Sequence, residues 1–94
     1  MGYEFEWDPE KATTNLRVHG VSFEEASTVF ADPLAMLMAD PDHSVDEERY
    51  LLLGLSTRRN LLVVAFAERP PRTRLISARP ATRHERRQYE EGQS

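Results

Sequence analysis

The stretch from Arg49 to Arg79 reads RYLLLGLSTRRNLLVVAFAERPPRTRLISAR, and its reading decides the fold. Three apolar runs, Arg49–Ser56, Leu61–Glu68 and Arg72–Arg79, are separated only by TRRN and RPP, both of them turn material. Connections this short leave no room for a crossover, so they predict neighbouring strands in an antiparallel meander. Upstream, Leu34–Ala39 supplies a further strand across the loop DPDHSVDEE. A strict period of two in the last strand puts Leu75, Ser77 and Arg79 on one face and Arg74, Ile76 and Ala78 on the other.

Outward from this stretch the pattern changes. Tyr3-Glu4-Phe5-Glu6-Trp7 alternates apolar and acidic residues, as a half-buried strand does, with Trp7 a core residue. Asp8-Pro9 is a helix start, an N-cap followed by a first-turn proline, and Gly20 marks the stop after His19. Ser22 and Glu25 have capping-box spacing ahead of an apolar stripe of Phe23, Ala26, Val29 and Phe30, which Asp32-Pro33 ends. Thr82 and Glu85 repeat that spacing and open a last helix ending near Gly92. The expected order is β-α-α-β-β-β-β-α, an α+β fold in which helices pack an antiparallel sheet, with residues 1–94 forming one compact domain.

Composition narrows the function classes. A chain of 94 residues with 39% hydrophobic content builds one core and leaves little room for an enclosed chamber, so a site is expected as a groove or surface cluster. The absence of cysteine removes disulfides, thiolate zinc sites and cysteine nucleophiles. The three histidines are scattered without metal-ligand spacing, and Asp40-Pro41-Asp42 lacks the pattern of a calcium loop, so no metal site is expected. No phosphate-binding glycine loop, GxSxG elbow or HExxH motif occurs. No apolar run approaches a membrane span, and the N-terminus lacks a signal-peptide pattern, so a soluble cytoplasmic protein is expected.

The net charge of −4 conceals a split. Residues 1–48 carry two cations against twelve carboxylates, whereas residues 49–89 carry ten arginines against Glu68 and Glu85. Arginine outnumbers lysine eleven to one, and its planar guanidinium suits phosphate. An alternative is that the two halves simply neutralise each other. Arg79 stands at a strand end just before a helix N-terminus, an electropositive corner fit for an anion or for pairing with an acid of the first half. Arg83, Arg86 and Arg87 share a face of the last helix, which is either a binding surface or a solvated one. His19 ends the first helix, where the dipole favours a charged imidazole, suited to proton transfer or to capping. Glu48, at a loop-to-strand junction beside Arg49, is a candidate base.

These residues lie in segments that together resemble the BrnT toxins of bacterial type II toxin–antitoxin modules. The resemblance rests on FEWDPEKATTNLRVHGVSFEEASTVFADP, DEERYLLLGLS and LISARPATRHERRQYEEG, which run in family order from Phe5 to Gly92. One departure is Val18, where many members carry lysine before His-Gly. The resemblance implies a RelE-like fold, metal-independent ribonuclease activity without a cofactor, and growth arrest. It also implies a cognate BrnA-like antitoxin with a ribbon-helix-helix domain, through which alone the complex reaches operator DNA. On that basis Lys11, Arg49 and Arg79 are the candidates for stabilising charge on the phosphorus, and His19 is the proton-transfer group, with Glu48 as alternative. Arg58, Arg59 and Arg83 would hold flanking RNA phosphates, and Arg83, Arg86 and Arg87 would meet the antitoxin. A non-catalytic nucleic-acid-binding module and a protein-interaction subunit are the competing classes.

Overall fold

The computed structural model describes residues 3–39 and 49–92. Strand β1 (Phe5–Glu6) leads into helix α1 (Pro9–His19), followed by α2 (Phe23–Thr28) and a single 3-10 turn (Val29–Ala31). Strands β2 (Met36–Ala39), β3 (Arg49–Leu55), β4 (Leu61–Arg69) and β5 (Arg72–Pro80) precede helix α3 (Arg83–Glu91). The five strands form one sheet in the order β1-β5-β4-β3-β2. The expected meander is present from β2 to β5, while β1 joins parallel to β5. No described helix is long and apolar enough to cross a membrane.

Local chemistry accounts for the helix boundaries. The Asp8 carboxylate accepts from Glu10 N–H at 2.9 Å, and Pro9 takes the first helical position, where no amide is needed. Gly20 ends α1 at φ 73°, a left-handed conformation that side chains other than glycine's rarely adopt. At α3 both halves of the capping box are formed between Thr82 and Glu85. At α2 only half forms. Ser22 Oγ accepts from Glu25 N–H at 3.0 Å, but the Glu25 carboxylate turns away to the β3–β4 turn.

The sheet is packed on both faces. Helices α1 and α2 cover one with a core of Phe23, Ala26, Val29, Leu62, Val64, Phe66, Leu75 and Ala78. Each fully enclosed Phe or Leu contributes about 1.5–3 kcal/mol to that core. Trp7 packs at its margin, edge-on to Phe23 with ring centroids 5.8 Å apart, as expected of a core residue. Helix α3 covers part of the other face, placing Tyr89 against Leu53, Leu61 and Val63. Gly54 allows close approach where the layers meet. A Cβ there would lie 3.0 Å from Ala35 Cβ, Asp32 Oδ2 and Val29 Cγ1.

Strand β5 departs from the expected alternation. Ala65 of β4 lies opposite Ser77, yet the next residue, Phe66, lies opposite Leu75, so Ile76 is an extra residue in a β-bulge. Cross-strand partners share a face, which places Leu75 and Ala78 together on the α1/α2 side. Arg74, Ser77 and Arg79 accompany Ala67, Ala65 and Val63 on the α3 side. The period-of-two assignment of Arg79 to the face of Leu75 is therefore corrected, because the bulge inverts every side chain beyond it.

Candidate active site

A groove of about 460 Å³ runs between α1 and the outer edge of β5. Lys11, Thr14, Asn15 and His19 line it from the helix, and Ile76 and Ser77 from the strand. It exists because β1 pairs with Thr73 and Arg74, and among the described residues the rest of the β5 edge has no strand neighbour. Asn15 takes up part of this edge. Its Nδ2 donates to Ala78 O at 2.8 Å and Val21 O at 2.9 Å, while Ala78 N–H donates to its Oδ1 at 3.0 Å. This side chain replaces a strand residue for one step of the ladder and fixes α1 against β5.

Lys11 and His19 stand at opposite ends of the groove, since eight residues of helix rise roughly 12 Å. Both are exposed. Helix α1 is capped by Gly20, whose N–H donates to Leu16 O at 2.9 Å. The His19 imidazole is therefore not consumed as a cap, and it has no hydrogen bond or ion pair among the described residues.

Arg79 is held by an acid, though not one from the first half of the chain. Its Nη1 donates to Glu85 Oε1 at 2.8 Å and its Nη2 to Glu85 Oε2 at 2.9 Å, with Nη1 also donating to Pro80 O at 3.3 Å. A guanidinium has five N–H donors, so Nε–H and the second Nη2–H stay uncommitted among the described residues. These two are parallel, the fork geometry that a phosphate or carboxylate accepts. Glu85 Oε1 also receives Thr82 N–H at 2.9 Å, so one carboxylate caps α3 and orients Arg79.

The Arg79 hydrogen bonds hold the Glu85 carboxyl down at about 2 despite its partial burial, with Thr82 N–H assisting. The pairing raises Arg79 in turn. A carboxyl lowered in the folded state stabilises the fold above its unfolded value of about 4.5 and loses that contribution as pH falls toward 2. Full enclosure would make this about 3 kcal/mol, but 38% of the Arg79 side chain is exposed, and solvent screening reduces it to about 1–2 kcal/mol. Denaturant titrations between pH 5 and 2 are expected to show Glu85→Gln losing less stability than the parent across that interval. Parallel pH curves would remove the ion pair from the acid response.

The remaining candidates are dispersed. Arg49 opens β3 opposite Ala67, on the same sheet face as Arg79. Four residues along β4 and two strand spacings separate the two, roughly 16 Å. Glu48 lies outside the described residues. Arg58 and Arg59 ride on the β3–β4 turn, and Arg83, Arg86 and Arg87 are exposed on α3. The structure thus brings Lys11 and His19 to one groove and leaves Arg49 apart from Arg79.

Three residues outside the set of predicted site residues organise these surfaces. Asn15 is one. The second is Glu25, which accepts from Ser56 Oγ and Asn60 Nδ2, both at 2.7 Å. Burial pushes its carboxyl up, but the bonds from Asn60 and Ser56 and the charge of Arg58 bring it below the usual range. The third is Asp32, which accepts from Leu55 N–H and Leu34 N–H at 2.9 Å and from Tyr89 Oη at 2.7 Å, tying α3 to the sheet. Burial and this carboxylate push the Tyr89 phenol up to about 12. In sequence, Asn15 shows as an amide in the middle of a helix, where the residue is otherwise disfavoured, and it falls within the stretch FEWDPEKATTN that carries the family resemblance.

A family model described as the ribonuclease toxin BrnT of type II toxin–antitoxin systems matches residues 7–85. No curated protein sequence matches the chain. Among solved structures, the crystal structure of the Brucella abortus ribonuclease toxin BrnT matches with a TM-score of 0.67 and 21% sequence identity, over 86% of this chain and 99% of that one. At this identity the likeness speaks for the fold, which is the same α+β arrangement. The family match itself runs from the core residue Trp7, through the Lys11–His19 groove and the bulged strand, to the Glu85 that holds Arg79. The chain therefore belongs to the BrnT family of ribonuclease toxins of type II toxin–antitoxin systems.

Proposed function

We propose that this protein is a metal-independent RNA endonuclease that arrests growth, cutting by attack of a 2′-hydroxyl on the adjacent phosphorus. The observation that carries this reading is the ribonuclease-toxin family match across residues 7–85. The chemistry requires charge neutralisation at a pentacoordinate phosphorus and two proton transfers. His19, exposed and uncommitted at the end of α1, takes the proton-transfer role, with Glu48 as the alternative base. Lys11 supplies a cation in the same groove, and the open fork of Arg79 supplies two aligned donors. Arg49 adds charge on the Arg79 face of the sheet, and Arg58, Arg59 and Arg83 hold flanking phosphates.

The partner is a cognate antitoxin of the ribbon-helix-helix class, which carries the complex to operator DNA and silences the toxin by covering its cationic surface. An acidic segment of the antitoxin meets Arg83, Arg86 and Arg87, where complementary charge accelerates association. The test is expression of this chain alone and with its antitoxin, scoring growth and the integrity of cellular RNA. Arrest with RNA fragmentation, reversed by the antitoxin, is the expected outcome. Normal growth with intact RNA at confirmed soluble expression would overturn the reading.

A further inference from the structure

A second groove, of about 280 Å³, begins where the first ends, and His19 lines both. One wall is the β3–β4 turn with Arg59 and Asn60; the other is the Pro80–Ala81 junction with Arg86 of α3. The turn is held in place from several directions. Ser56 N–H donates to Asn60 O and Arg59 N–H to Ser56 O, both at 2.9 Å. Glu25 binds Ser56 and Asn60 from α2, and Thr28 Oγ1 accepts from Thr57 N–H at 3.0 Å.

Within this frame Arg59 has φ 68°, the one left-handed non-glycine residue among those described. Such a conformation is avoided by L-residues, and it persists only where the surroundings fix it. Glycine would close the same turn without strain, yet the position carries a guanidinium. The guanidinium groups of Arg59 and Arg86 are both exposed and have no hydrogen bond or ion pair among the described residues. Glu25 also lines this groove, but its Oε2 already takes two hydrogen bonds, and Arg58 acts on it electrostatically.

We propose that this second groove is a phosphodiester subsite, in which Arg59 and Arg86 clamp the RNA backbone next to the nucleotide held beside His19. This rests on the ribonuclease reading and deepens it: RNA would thread the first groove, pass His19 and be gripped by the turn. Continuity of the two grooves at His19 favours a polynucleotide over an acidic peptide as the occupant. Arg59 and Arg86 are then positioning residues for substrate, acting on affinity and register rather than on the reacting atoms.

The experiment uses the full chain and non-cleavable 2′-O-methyl RNA, as a dinucleotide and as a hexanucleotide, with affinity measured at several ionic strengths. The parent is expected to bind the hexanucleotide more tightly than the dinucleotide. Arg59→Gly, which removes the guanidinium and relieves the left-handed strain, combined with Arg86→Ala should weaken hexanucleotide binding by roughly 10- to 100-fold. The slope of log affinity against log salt should fall by about 1.4, the loss of two single-strand phosphate contacts. Dinucleotide binding should stay unchanged. Arg72→Ala, in the hairpin at the other end of β4 and β5, controls for charge alone and should have little effect. Unchanged hexanucleotide affinity in the double variant, or an equal loss with Arg72→Ala, overturns the subsite while leaving the ribonuclease reading standing. A parent that binds neither RNA overturns both.

Discussion

Replacing Arg79 by alanine is expected to slow RNA cleavage by about 10²- to 10³-fold, the effect of withdrawing about 2–4 kcal/mol of transition-state stabilisation. The expected size rests on how firmly the side chain is held. Glu85 takes two donors end-on and Pro80 O a third, so the guanidinium is held with its remaining two donors in a fixed orientation. The alanine variant also loses the ion pair, so a lower melting temperature must be separated from a lower rate. Arg79→Lys makes that separation. It keeps a cation beside Glu85 and much of the stability, but an ammonium presents no planar fork. Cleavage by the lysine variant should fall at least tenfold while its melting stays close to the parent's. Parent-like cleavage in both variants would remove Arg79 from the chemistry and leave it as the clamp that seats α3.

The largest loss of stability is expected at Asn15. The residue is 6% exposed, and it satisfies Ala78 N–H, Ala78 O and Val21 O at an edge where β5 has no strand partner among the described residues. Asn15→Leu has a similar volume but strands three backbone groups, each costing about 1–3 kcal/mol when buried without a partner. The sum, about 3–5 kcal/mol after local relaxation, rivals the whole stability of a small domain. Thermal unfolding of this variant should begin more than about 15 °C below that of the parent. Asn15→Asp gives an independent sign test. A carboxylate there would face two carbonyl oxygens, so folding favours its protonated form and raises its folded-state pKa. Its stability should therefore be greatest below the ordinary carboxyl value and decline as pH rises toward neutrality. A variant that melts like the parent at neutral pH would show that the α1–β5 joint does not depend on this amide.

Much of this fold could be read from local chemistry, because caps and turns act over a few residues. Asp8-Pro9, Gly20 and the Thr82–Glu85 box mark helix ends that the structure reproduces. TRRN and RPP likewise delimit the hairpins. What could not be read depends on pairs distant in sequence. The bulge at Ile76 arises from the register between β4 and β5, and nothing in LISAR distinguishes a bulged strand from a regular one. It alone decides that Arg79 faces α3 and not the core below α1. The partner of Arg79 is an exception of the opposite kind: the acidic first half offers many carboxylates, yet the one that binds lies only six residues away, where the capping helix returns it to the strand. Glu25 has the spacing of a capping box, but a buried turn 31 residues away competes for its carboxylate and wins. Lys11 and His19 could be named as candidates. That they share a groove follows only from the short β1, which exposes the β5 edge.

The most direct test of the central claim is cleavage of a short RNA by the purified chain in the presence of a strong chelator. Its control is the same RNA carrying a single 2′-deoxy substitution at the cut. If the 2′-hydroxyl is the nucleophile and protein side chains supply all the charge and proton transfer, the all-ribose RNA is cut to 2′,3′-cyclic phosphate and 5′-hydroxyl ends. The substituted RNA then stays intact at that position. Cleavage of the deoxy-substituted bond, or cleavage that stops on chelation and returns with added divalent metal, would contradict it.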